Sequence, residues 1–292
     1  MAAATPFSFP DPPLDSAGAA DAQPALLAAL AERLARGAGE VVARLRAEAQ
    51  DVAALGITTK STDTDLVTAA DRASEQYIVS ALRSARPADG VRSEEGAHAP
   101  ATSGVRWVID PIDGTVNYVL GLPHHAVSIA AQRDGVTIAA AVHDVAAGRT
   151  YCAATGSGAF ADGRPLSGPR AVPLAHAVLG TGFTYDAAER GRQGAVLARV
   201  LPRVANMRRL GSAALDLCLV ADGQLDAFYE YGINDWDVAA GVLVAAEAGA
   251  TVSGLRGRPA AAPFVAATGP MAAAEFFALL EQIGADRIGM PG

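Results

Sequence analysis

Between residues 105 and 154 the chain carries four short apolar or alternating runs, 105–109, 126–132, 136–142 and 150–154, each set off by turn residues. Runs of that length and spacing read as strands. On either side the apolar spacing lengthens to that of a helix. Leu27, Leu30, Leu34, Val41, Val42 and Leu45 recur at helical steps. They predict a helix from Pro24 to about Gln50, weakened or bent at Gly37 and Gly39. A second helix is expected from about Thr68 to just before Pro87, with Ala73, Tyr77, Ile78 and Leu82 on its apolar face. Further helices are expected over 187–204, 212–221, 238–248 and 271–283, with a strand at 225–231. Strands grouped between helical segments require an α+β fold. We expect two tightly joined lobes, 24–170 and 171–292, after a flexible Ala- and Pro-rich tail over 1–23.

At 292 residues and 51% hydrophobic side chains the chain can bury a sizeable core, which excludes wholesale disorder. Its 31 acidic residues outnumber 23 basic ones, a formal charge of −8. Direct nucleic-acid binding needs clustered Lys and Arg and is not expected, nor is attachment to an anionic membrane surface. An acidic protein acting on a phosphorylated substrate needs something cationic, most simply bound metal. The two cysteines, Cys152 and Cys218, are too few for a disulfide scaffold and lack metal-ligand spacing. They read as small buried thiols in a reducing compartment. The sequence has neither a membrane-length apolar run nor a secretory leader, so the cytoplasm is the expected location.

The segment Trp107-Val-Ile-Asp110-Pro-Ile-Asp113-Gly-Thr115 concentrates the chemistry. A strand is expected to end at Ile109. Two carboxylates follow, three residues apart around a proline, and Gly114-Thr115 opens a short turn or helix. Carboxylates held at a strand end can share divalent cations that prefer oxygen ligands, as Mg²⁺ does. Backbone N–H groups at a helix start suit a phosphate oxygen. Side by side, the two describe phosphate-ester chemistry. Taken alone, the pair also fits a structural role, with Asp-Gly as a hairpin turn and Asp110 as a cap.

Three more segments set acids in apolar surroundings: Thr68-Ala-Ala-Asp71, Ser93-Glu94-Glu95-Gly96 on a loop, and Asp235-Trp236-Asp237 ahead of an apolar helix. Each has a structural reading too: a capping-box-like pair, a solvated loop and an N-cap at Asp237. Gly156-Ser-Gly158-Ala-Phe160 resembles part of a dinucleotide fingerprint, but it leads into an Asp162-Gly163 hairpin with no helix and is set aside. His124 and His125 read as structural or pocket-rim residues. Arg208 and Arg209 read as ion-paired to local carboxylates or at a subunit contact, and Lys60 as a charge that neutralises nearby acids.

In order along the chain, Lys60-Ser…Asp65-Leu-Val-Thr-Ala-Ala-Asp71, Glu94-Glu95, Asp110-Pro-Ile-Asp113-Gly-Thr115-Val-Asn117-Tyr and Trp236-Asp237-Val-Ala-Ala-Gly241 resemble the signatures of the inositol monophosphatase family. Pro123-His-His-Ala126-Val-Ser-Ile129 and Gly211-Ser-Ala-Ala214 also match, so the resemblance covers about residues 25–270. Ser93 departs from the usual Gly, and Tyr118 from the common Phe. The resemblance implies a layered α/β/α/β/α sandwich of the sugar-phosphatase type, commonly a homodimer, with its site between the two lobes.

It also implies that Glu94, Asp110, the Ile112 carbonyl, Asp113 and Asp237 cage two or three Mg²⁺ ions, with Asp110 bridging. Glu94 and Thr115 would position and deprotonate a water, with Asp71 accepting a hydrogen bond from Thr115 or from a metal-bound water. Substrate contacts would fall on Asp113, Gly114, Thr115, Gly211, Ser212, Ala213, Glu230 and Asp237. The implied reaction is Mg²⁺-dependent, lithium-sensitive hydrolysis of a phosphate monoester, myo-inositol monophosphate foremost. A carboxylate at Glu230 accepts hydrogen bonds from a polyol but repels a second phosphate. Relatives on this scaffold act on histidinol phosphate, fructose 1,6-bisphosphate or 3′-phosphoadenosine 5′-phosphate, and some bacterial ones bind the transcription machinery. These stand as alternatives.

Overall fold

The computed structural model describes residues 23–60 and 65–288. The expected tail lies outside these except for Gln23, as do residues 61–64 of the first motif. Helix α1 (Pro24–Glu48) is followed by a two-stranded ribbon, β1 (Thr58–Thr59) and β2 (Leu66–Val67), then by α2 (Ala69–Ala85). An eight-stranded sheet comes next: β3 (Gly90–Ser93), β4 (His98–Ala99), β5 (Val105–Asp113), β6 (Ala126–Arg133), β7 (Val136–Asp144), β8 (Arg149–Ala154), β9 (Gly158–Ala161) and β10 (Arg164–Pro165). The short helix α3 (Thr115–Leu120) interrupts it. Its order is β10-β9-β8-β7-β6-β5-β3-β4, antiparallel except between β3 and β5.

A five-stranded sheet follows, built from β11 (Val178–Thr181), β12 (Asn206–Arg208), β13 (Ala227–Tyr231), β14 (Thr251–Ser253) and β15 (Phe264–Thr268). Between and after these strands run α4 (Ala187–Val200), α5 (Ala213–Ala221), α6 (Asp235–Glu247) and α7 (Pro270–Ile283). The strand order is β12-β11-β13-β15-β14.

The period-two alternation of the strands assigns each side chain to a layer. Val105, Trp107 and Ile109 of β5, with Val127 and Ile129 of β6, face α1 and α2. Val108, Ala126 and Ala130 face the opposite side, where α5 and α6 lie. Those two helices are apolar nearly all round because a sheet covers each side of them. Leu215, Cys218 and Val244 meet the eight-stranded sheet, while Leu217, Val220 and Val238 meet Phe228 and Val265 of the five-stranded one. On the outer face of that second sheet, Val196 of α4 and Phe276 and Leu280 of α7 pack with Leu179 and Tyr229. The stack is therefore helices, sheet, helices, sheet, helices, the expected α+β sandwich. Both cysteines are buried and free. No helix among the described residues is long and apolar enough to cross a membrane.

Several expected boundaries move. Strand β5 runs on through both carboxylates to Asp113 instead of ending at Ile109. Helix α6 starts at Asp235, so Asn234 is its N-cap and Asp237 lies in its first turn. Helix α4 stops at Val200 and tightens into a 3₁₀ turn, Leu201–Arg203, around Pro202. Tyr77 is 40% exposed, and Ser74 and Val79 take the buried positions on α2 that the pattern gave it.

Helix α1 passes unbroken through Gly37 and Gly39, whose role is clearance. A β-carbon at Gly37 would collide with the Tyr77 ring, and one at Gly39 with the His143 imidazole. Alanine normally stabilises a helix interior over glycine by about 1 kcal/mol. At Gly194 of α4 an added β-carbon meets nothing within 4 Å. We therefore expect Gly194→Ala to raise stability by about 0.5–1 kcal/mol. Gly39→Ala should lower it by about 1–3 kcal/mol through overpacking. Urea denaturation of both variants checks the opposite signs.

Candidate active site

A break in strand register sets the two central carboxylates. Asp110 pairs with Ser128 and Asp113 with Ala126, so β5 advances three residues where β6 advances two. Residues three apart on a regular strand point to opposite faces, and the extra residue of the bulge brings both acids into one cavity. Pro111 suits a bulge because it offers the ladder no N–H. The Ser74 hydroxyl fixes the bulge from behind by donating to the Pro111 carbonyl at 2.9 Å. Gly114 then turns the chain into α3 with φ of 92°. Any side chain there would press on the carbonyls of His124 and Gly211, 3.0 and 3.1 Å from a β-carbon.

The four aspartates each have an oxygen tied to the backbone. Asp71 accepts from the Thr68 N–H at 2.7 Å, closing the capping box of α2, and its other oxygen accepts from the Thr115 hydroxyl at 3.1 Å. Asp110 accepts from the Ile112 N–H at 3.0 Å. Asp113 accepts from the Ser212 hydroxyl at 2.6 Å and the Ala214 N–H at 2.7 Å, both at the start of α5. Asp237 accepts from the Asn234 N–H at 2.6 Å, closing the capping box of α6. Glu94 follows β3 and pairs with Lys60 at 2.9 Å, and Lys60 also binds Glu95. The structural readings of Thr68–Asp71 and of the α6 start thus coexist with placement at the cavity.

The cavity, about 390 Å³, is lined by Glu94, Asp110, Ile112, Asp113, Gly114, Thr115, Gly211, Ser212, Ala213, Glu230 and Asp237. All the residues singled out for metal or substrate are in that wall. Asp71 stands behind it, reaching it through Thr115. Burial pushes Asp110 well above the ordinary carboxylate range, and Glu94, Asp113 and Asp237 push it further. Asp237 is raised likewise, by burial and then by Asp113. Burial also lifts Asp113, but Ser212 and Ala214 hold it to about 6. Among the described residues no three His, Cys, Asp or Glu side chains converge into a ready coordination shell. Their like charges oppose closer approach.

The sequence reading missed other parts of the wall. Asp216 hides inside the apolar run of α5, where it accepts from or faces His124 Nε2 at 3.3 Å. Phe183 and Tyr185, on the loop between β11 and α4, also line the cavity, and no pattern marked them. The ion pairs expected for Arg208 and Arg209 are not made among the described residues. Arg208 donates to Asn206 Oδ1 and the Met207 carbonyl, and Arg209 faces the cavity.

A two-sheet sandwich with a cluster of acids beside a helix start marks a class of phosphate-ester hydrolases, and the comparisons make it specific. The family model described as "Inositol monophosphatase family" matches residues 23–285. An inositol-1-monophosphatase of Mycobacterium leprae is 47% identical over 247 residues, 80% of this chain and 84% of that protein. A Nus factor SuhB of Pasteurella multocida is 40% identical over 230 residues, 78% of this chain and 85% of its own. The solved structure of Mycobacterium tuberculosis SuhB superposes with a TM-score of 0.77 at 43% identity, covering 90% of this chain and 98% of that one. The chain belongs to the inositol monophosphatase family and is a phosphoric monoester hydrolase.

Without divalent cations the acid cluster works against the fold. Carboxyls raised in the folded state bind protons more tightly than the unfolded chain, whose acids titrate at about 4. The stability they lend is full below that value and drains away as pH rises through about 6, where Asp113 titrates. We expect urea midpoints measured in EDTA to fall across this interval. Asp110→Asn should raise stability at neutral pH by about 1–3 kcal/mol. An unchanged midpoint in that variant would refute the repulsion.

Proposed function

We propose that this cavity hydrolyses a polyol monophosphate, inositol 1-phosphate foremost, with Mg²⁺ held by Glu94, Asp110, the Ile112 carbonyl, Asp113 and Asp237. The observation that carries this reading is the bulge in β5, which sets Asp110 and Asp113 into one cavity with Glu94 and Asp237. The donor set fits the ion: it is all oxygen and rich in carboxylates, the ligands that hard divalent cations prefer. Once bound, such ions polarise phosphoryl oxygens, lower the pKa of water and stabilise the leaving alkoxide.

The chain's own groups then orient the reaction. Asp71 is locked by Thr68 on one oxygen and accepts from Thr115 on the other. The Thr115 hydroxyl therefore keeps its lone pairs for an incoming water while its proton points to Asp71 or to the Ile112 carbonyl. Glu94, steadied by Lys60, stands ready on the same wall to take the water's proton. The N–H groups of Gly114 and Thr115 serve the phosphate, and Ser212, through Asp113, ties the start of α5 to the bulge. Glu230 on β13 faces the space left for the alcohol, where it accepts from hydroxyls.

Phosphate release from inositol 1-phosphate should require Mg²⁺, vanish in EDTA and return when the metal is restored. Asp110→Asn should reduce kcat by about 10²–10³-fold or more, since it removes a charge at the reacting centre. Inhibition by Li⁺ is read in the same assay. Activity that survives either EDTA or the substitution would overturn the metal reading. A relative named as a Nus factor raises a contact role as a second reading. Comparing proteins captured from cell extract by wild type and by Asp110→Asn separates that role from catalysis.

A further inference from the structure

The Gly156-Ser-Gly158 turn, which resembles a piece of a dinucleotide fingerprint, holds an anion that belongs to the protein itself. It joins β8 to β9, and its two glycines have φ of 74° and 83°. Backbone N–H groups gathered by left-handed residues form a concavity that suits negative charge. One Glu247 oxygen accepts from the Gly156 N–H and the other from the Gly158 N–H, each at 2.9 Å. A β-carbon at either glycine would meet nothing within 4 Å, so backbone freedom and not clearance requires glycine there.

Glu247 is the last residue of α6, where helix electrostatics disfavour it. Unpaired carbonyls gather at a helix C-terminus, so a base is preferred and a carboxylate repelled, and α6 has no basic residue in its last turn. The two charge-assisted bonds offset that repulsion. A local rule broken with so specific a compensation marks a residue with a task other than helix stability.

The helix that ends at Glu247 begins at the acid cluster. Helix α6 lies across the eight-stranded sheet from β5 to β9. Asp237 is in its first turn, ten residues and about 15 Å of helix from Glu247. Over that span Ala239, Ala240 and Ala245 meet a floor that is mostly alanine, Ala126, Ala130 and Ala140 among it. On its other flank Gly241 lies directly against Leu217 and the Ala214 carbonyl of α5. Ridges this shallow hold surfaces together but oppose sliding along the axis weakly, because few long side chains lodge in grooves. The axial position therefore falls to the polar ties at the two ends, Arg92 to Asp235 and the glycine turn to Glu247.

We propose that Glu247 is a positioning residue whose grip on the Gly156–Gly158 turn fixes α6 along its axis and so sets Asp237 for Mg²⁺. This rests on the metal reading above and extends it to the far end of the helix. Calorimetric titration of Mg²⁺ into metal-stripped protein reads the site without catalysis, with kcat and KM for inositol 1-phosphate measured alongside. The comparison covers wild type, Glu247→Ala, Glu247→Gln, Gly156→Ala and the Glu247→Ala/Gly156→Ala pair. Gly39→Ala, strained on the opposite face of the sheet, is the control for lost stability.

Glu247→Ala should weaken Mg²⁺ binding about two- to thirtyfold. Its KM at saturating Mg²⁺ should stay near that of wild type. Glu247→Gln keeps one acceptor oxygen without the charge and should lose less. Gly156→Ala puts alanine into left-handed backbone and should shift Mg²⁺ binding the same way. The double variant should lose less than the product of the single losses, since both break one contact. Where Glu247→Ala does not fold, Glu247→Gln and Gly156→Ala carry the same comparison. Unchanged Mg²⁺ affinity in the folded variants would overturn the proposal, leaving Glu247 a structural tie. An equal loss in Gly39→Ala would also overturn it, because general softening would then account for the effect. A wild-type protein that binds no Mg²⁺ would overturn the metal reading itself, and this proposal with it.

Discussion

Four carboxylates in and just behind one cavity wall are held beside one another because each surrenders one oxygen to a backbone N–H. Thr68 supplies it to Asp71, Ile112 to Asp110, Ala214 to Asp113 and Asn234 to Asp237. Three of these four donors lie at helix starts, where N–H groups have no intrahelical partner and favour negative charge. The remaining one comes from the bulge itself. Helix ends and carboxylates thus satisfy each other's unmet demands, and the geometry of α2, α5 and α6 is locked to the position of the acids. Moving any of those helices would move a carboxylate.

That lock spans the whole stack. Helices α5 and α6 are buried between the two sheets, and their N-termini arrive at the end of β5. The contact of Asp113 with Ser212 and Ala214 joins residues a hundred positions apart in sequence. Arg92 of β3 adds a second tie, donating to Asp235 at 2.8 Å and stacking over Trp236. The cavity is consequently held from both sheets at once, which is what preorganised electrostatic catalysis requires.

Much of this is legible in the residues. The apolar runs of β5 to β8 stand out because each buries two faces against different layers, and the leucine spacing of α1 marks a single buried stripe. The ordered acid motifs name the wall of the cavity almost completely. What escapes is set by tertiary context. The bulge cannot be seen in Asp-Pro-Ile-Asp, because a register break belongs to the pair of strands and not to one. Short strands such as β11 and β15 are four and five residues long, too brief for a period to declare itself. Asp216 is masked by the apolar helix that carries it, and Gly37 and Gly39 read as flaws until Tyr77 and His143 are placed against them. Arg209 reads as a local ion-pair partner or a subunit contact, and its place on the cavity wall escapes because sequence shows charges and not the directions in which they point.

The two sheets furnish different parts of the cavity wall. Asp110, Ile112 and Asp113 come from the eight-stranded sheet, with Glu94 at its margin, while Gly182, Arg209 and Glu230 come from the five-stranded sheet and its connections. The first group is woven into a bulge and helix caps, where one altered residue disturbs several hydrogen bonds. The second sits at strand ends and on loops, where a change alters the shape offered to an incoming molecule and little else. A chain built this way can exchange one alcohol partner for another by changes at those strand ends and loops while the bulge and the helix caps stay fixed. The boundary between what evolution may edit and what it must preserve runs through the cavity itself.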